Sequence, residues 1–167
     1  MRSLYENVLI IIVGVGLNLD AESMSDRKIL QKVVFLAQSL GFPPDYQFAW
    51  HINGPYSPQI NEEYRDIVYE LNRRPTDIFS TELSDNYDIH DDYFVVLENI
   101  KKMISAKPQD ASLSDWVETL ASVAFLRDEA ACNRDAIRRW IEKDRAHLLP
   151  YCDLAEDMLD GIEGPVV

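Results

Sequence analysis

Three histidines, His51, His90 and His147, are the only imidazoles in the 167 residues, and none stands three or four positions from another. A helical zinc site of the H-E-x-x-H kind needs that spacing to bring two ring nitrogens to one face, so that chemistry is excluded. The densest donors lie around His90, where Asp85, Asp88, Asp91 and Asp92 accompany it. Carboxylate oxygens and an imidazole that close can gather a divalent cation, and an enzyme reading would rest on Asp88, His90 and Asp91 as metal or acid–base groups. The run lacks the glycine and the distal glutamate of a calcium loop, and like-charge runs are ordinarily solvated. An acidic loop that caps the next helix is the expectation. Gly14-Val15-Gly16 completes neither phosphate-binding fingerprint, having no third glycine and no Gly-Lys-Ser/Thr. Cys132 and Cys152 are too few and too isolated for a disulfide scaffold or a zinc site. No catalytic residue, metal ligand, cofactor or cofactor-binding residue is assigned.

A different chemistry resides in residues 50–58, WHINGPYSP. An aromatic strand end, a turn at Asn53-Gly54-Pro55 and a Ser57-Pro58 helix start fix nine backbone positions tightly. This stretch is either a structural corner or a rigid aromatic face, presenting Trp50, His51 and Tyr56 to a partner at low entropy cost.

The elements around that corner follow from periodicity. An apolar run predicts a central first helix over residues 3–13. A second starts with Ser25 as N-cap and carries Ile29, Leu30, Val33, Val34, Leu36, Ala37 and Leu40 before Gly41. Pro43 and Pro44 enforce a break, and alternation over residues 46–52 predicts a short strand. Helix three spans 58–73, with Ile60, Tyr64, Ile67, Val68 and Leu71 on one stripe. Residues 75–92 read as irregular. Helix four covers 92–105, helix five follows Ser112 or Ser114, and Asn133 caps helix six with Ile137, Trp140 and Ile141 inward. Pro150 opens or kinks a last helix. The fold class is therefore mainly α: one domain over residues 1–167, a bundle of six to eight helices with at most a short strand or strand pair around 46–52.

Charge restricts the partners. Sixteen Lys and Arg against 29 Asp and Glu leave a net −13, which disfavours generic polyanion and anionic-membrane binding. Residues 77–92 contribute −6, and Asp153, Glu156, Asp157, Asp160 and Glu163 another −5, whereas residues 28–60 sum to +1. The basic cluster of helix six, Arg134, Arg138, Arg139, Lys143 and Arg145, is interleaved with Asp135, Glu142 and Asp144, which favours intrahelical pairs over a phosphate track. The apolar run at residues 8–19 carries Glu6 just before it and is shorter than the ~20 residues of a membrane span, so a buried helix and a cytoplasmic address are expected.

Residues 29–36, ILQKVVFL, followed by a proline break, Tyr46 to Trp50 and then Gly54-Pro55-Tyr56-Ser57, resemble the "LQKLxYL … GPYS" signature of the YwgA-like family of small prokaryotic proteins. That family looks related to the SocA-like antitoxin domain, also called Panacea. Val33 and Phe35 stand where Leu and Tyr are commoner. The resemblance implies a mostly helical module without known catalysis, whose relatives neutralise toxins by direct binding or act as protease adaptors. The expectation is thus a non-enzymatic, antitoxin-like or regulatory protein-interaction module. It would engage a basic protein or a toxin through Lys32, Trp50, His51, Gly54, Pro55, Tyr56 and Ser57. The alternatives are a nucleic-acid regulator, as an acidic DNA mimic or a helical DNA reader, and, behind these, a metal-dependent hydrolase.

Overall fold

The computed structural model describes residues 4–43, 46–73 and 91–162. It is mainly helical, with one small antiparallel sheet, as the periodicity predicts. In chain order the elements are α1 (Leu4–Val15), α2 (Met24–Ser39), β1 (Ala49–His51), β2 (Gly54–Tyr56), α3 (Pro58–Arg73), α4 (Asp91–Ser105), α5 (Leu113–Asp128), α6 (Arg134–Arg145), a 3-10 helix (Ala146–Tyr151) and α7 (Cys152–Asp160). No helix among the described residues is long and apolar enough to cross a membrane.

The centre is the pair α2 and α5. Residues 29–37 of α2 are buried without interruption, as are residues 116–124 of α5. α1 packs against α2, with Val8, Leu9, Ile10, Ile11 and Ile12 buried. Gly14 lets α4 approach α1 closely, since a Cβ there would lie 2.5 Å from Leu97 Cδ1. Side-chain caps set the helix starts: Ser112 Oγ accepts from the Asp115 N–H and Asn133 Oδ1 from the Ala136 N–H.

Three expectations shift. The cap of α2 is Ser23, whose Oγ accepts from the Asp26 N–H, and Ser25 lies inside the helix. Gly54 and Pro55 belong to β2, and Ile52 and Asn53 make the turn. Trp140 is 42% exposed, while its helical neighbours Ile137 and Ile141 are buried. With α6 burying only a narrow two-residue stripe, the indole falls at the margin of the interface and leans outward. The proposed acidic loop and cation run at 85–90 lie outside the described residues.

Candidate recognition site

The extended segment 46–57 is held against α2 by side chains that imitate a neighbouring strand. At its far end Gln31 Nε2 donates to the Ser57 carbonyl at 2.8 Å, and Gln31 Oε1 accepts from the Ser57 N–H at 2.9 Å. At its near end Gln38 repeats this with Tyr46, donating to the carbonyl at 3.1 Å and accepting from the N–H at 3.0 Å. The two glutamines are seven residues apart, two helical turns, which puts both on the same side of α2. Each satisfies a donor and an acceptor that the short sheet cannot pair.

Between them Lys32 Nζ donates to the Pro55 carbonyl at 2.6 Å. The register places Pro55 opposite Trp50, and proline has no N–H with which to exchange two bonds across the ladder. Its carbonyl therefore points out of the hairpin, where Lys32 takes it. Gly54 is required twice over: its φ is +86°, and a Cβ would lie 2.5 Å from Ser122 Oγ of α5.

Lys32 is only 2% exposed, and burial is the main reason its pKa falls to about 8, with Glu118 opposing the fall. Burial likewise pushes the Glu118 carboxyl up, against the pull of Arg145 and Lys32. Arg145 Nη2 donates to Glu118 Oε2 at 3.0 Å and its Nη1 to Asn53 Oδ1 at 2.9 Å, so one guanidinium ties the hairpin tip to α5. Glu118 Oε1 is buried without a hydrogen-bond partner among the described residues. His147 Nε2 stands 3.3 Å from Arg145 Nη2 and 3.5 Å from Asp115 Oδ1. Asp115, Glu118 and His147 present donor atoms within 4.8 Å of one another, a set of the kind that holds divalent cations. Here Arg145 Nη2 already lies against donor atoms of two of them, Glu118 Oε2 and His147 Nε2.

What the clamp displays is an aromatic corner. Diagonally across the hairpin, His51 and Tyr56 stack with centroids 4.9 Å apart. Trp50, on the opposite parity, packs against Phe125 at 5.6 Å and edge-on against Trp140 at 6.2 Å. Ile52 at the turn is 67% exposed. No other strand among the described residues covers β1, whereas the far side of β2 faces Gln31 and Lys32.

The residues nominated from sequence thus divide. Lys32, Gly54, Pro55 and Ser57 are buried and build the frame; Trp50 and Tyr56 are half-buried, and His51 is exposed. Sequence reasoning passed over Gln31 and Gln38 as frame residues, Glu118 and Arg145 as its charged support, and Ile52 and Trp140 as exposed surface. The seven-residue spacing of the glutamines was visible but names no partner, and the remaining contacts join positions 27 to 92 residues apart. Comparison with family models, curated proteins and solved structures finds no match.

Proposed function

We propose that the protein is a non-enzymatic recognition module, antitoxin-like or regulatory, that engages a partner protein through the hairpin and the adjoining face of α6. The observation that carries this reading is the clamp. Two glutamines, a buried lysine and an arginine fix a hairpin whose outer surface is His51, Ile52, Tyr56 and the Trp50–Trp140 pair. Rigid aromatic groups on a preorganised backbone lose little entropy on binding and are typical anchors of protein interfaces. Buried Lys32 and Glu118 support the hairpin and its tip, Lys32 directly and Glu118 through Arg145.

The charge layout also bears on the alternatives. Arg134 pairs with Glu156, Asp157 and Asp160, Arg138 with Asp153, and Arg145 with Glu118. With three of its five cations engaged, α6 has little left to track a phosphate backbone, which weighs against a helical DNA reader.

A photo-crosslinking amino acid placed at Ile52 in native cells tests the proposal, with Leu154 on α7, 38% exposed, as the control position. One discrete protein adduct is expected from position 52, lost on Trp50→Ala, with none from 154. The same adducts from both positions, or none from 52, would contradict it.

A further inference from the structure

We infer that the face around Trp140 binds a short peptide segment carrying carboxylates on either side of an apolar side chain. This rests on the recognition reading above and specifies the chemistry of the partner.

α6 carries five cations, of which Arg134, Arg138 and Arg145 are held by acids of α7 and α5. Arg139 and Lys143 form no ion pair among the described residues, and both are exposed. They stand at i and i+4, the spacing that puts both on one side of α6. Lys143 Nζ sits 5.8 Å above the Trp140 ring. Together with Ala136 these residues line a shallow depression of about 240 Å³, and no acidic residue lines it. That is below the ~300–1,000 Å³ of a small-molecule pocket and suits a single side chain. Its lining is an indole and two cations outside any ion pair among the described residues, one a guanidinium that can grip a carboxylate with two parallel bonds. The complementary ligand is an apolar anchor with acids beside it.

The net charge of −13 does not oppose this at contact range. Charges beyond about 8 Å are largely screened at physiological ionic strength, so the distant acids weigh little on a short segment; of the nearby acids, Asp135, Glu142 and Asp144 of α6, none lines the depression. Trp140, which lines the depression, also packs edge-on against Trp50 of the clamped hairpin.

The experiment is a selection from a random hexapeptide display library on the full chain, run in parallel on Arg139→Glu/Lys143→Glu. Circular dichroism checks that the variant folds, and both positions are on the surface. Enrichment of Asp and Glu around an apolar position is expected for the native chain. On the variant the bias inverts to Lys and Arg, and a selected acidic peptide loses about tenfold or more in affinity. Selected peptides should also shift the Trp140 and Trp50 indole resonances. No enrichment, enrichment without charge bias, or enrichment of basic peptides by the native chain overturns the inference. Tighter binding of labelled hexathymidylate than of any selected peptide, abolished in the variant, overturns it in favour of nucleic acid. Failure here with an intact Ile52 adduct removes only the acidic chemistry; loss of that adduct removes the recognition reading itself.

Discussion

Charge is used in opposite ways at the two ends of α6. Toward its N-terminus, Arg134 and Arg138, whose side chains are 55% and 41% exposed, meet four acids of α7, of which Asp153, Asp157 and Asp160 are exposed and Glu156 is buried. At its C-terminus, Arg145 enters a half-buried pocket with Glu118, which is 3% exposed, near Lys32 and Asn53. The first arrangement has more ion pairs, and those to Asp153, Asp157 and Asp160 have little energetic consequence, because water and salt screen them; the pair with Glu156 alone has a buried partner there. The second has few, and each fixes a geometry: removing any one leaves a charge or a carbonyl buried alone. The exposed pairs therefore do little for the fold, whereas the buried charges of the site, Lys32 and Glu118, support a fixed hairpin.

The contrast yields an ordered set of mutations. Glu118→Ala should have the largest effect, lowering stability by about 3 kcal/mol, because Arg145 and Lys32 lose their shared anion; urea denaturation measures it, and a loss below 1 kcal/mol would dissolve the distinction between the two regions. Gly54→Ala follows at about 2 kcal/mol, from the left-handed backbone and the contact with Ser122. Adding Ser122→Ala should recover the contact part and leave roughly 1 kcal/mol of backbone cost.

Lys32→Met sharpens the comparison through pH. The folded pKa of Lys32, about 8, lies below that of an unfolded lysine, about 10.4, so between these values the unfolded chain binds more protons and stability rises with pH. The native chain should gain about 2 kcal/mol on the Met variant between pH 8 and pH 10. Taking the difference cancels other titrations, including that of Cys152, whose thiol burial pushes up to about 11. A flat difference would mean that Lys32 is hydrated. Smallest is Arg138→Ala, expected within about 0.5 kcal/mol of the native chain by the same denaturation.

Much of the scaffold was legible because helices declare themselves locally. The stripe of α3, the caps Ser112 and Asn133, and the stop at Gly41 are decided within a few residues. The hairpin was half legible. Its strand was read from alternation, but Gly54-Pro55 resembled a turn because the sequence does not reveal that α2 supplies the bonds proline cannot make. Trp140 was read as inward since a large apolar residue beside Ile141 ordinarily is; only packing shows that α6 buries a narrow stripe. Glu118 looked like one more acid among 29, and its role depends on Arg145, 27 residues away. Long-range partners are settled by the assembled core, which no local pattern encodes.

The central claim is that α2 side chains hold the hairpin rigid so that its corner is preformed. Native-state hydrogen exchange at the His51 and Tyr56 amides tests it most directly, since the outward-facing Trp50–Pro55 pair makes their flanking pairs the hydrogen-bonded ones. The account predicts strong protection of both amides in the native chain. It predicts selective loss of that protection in Gln31→Ala, with the amides of α2 and α5 still protected. Exchange of the hairpin amides at unprotected rates in the native chain, or unchanged protection in Gln31→Ala, would contradict it.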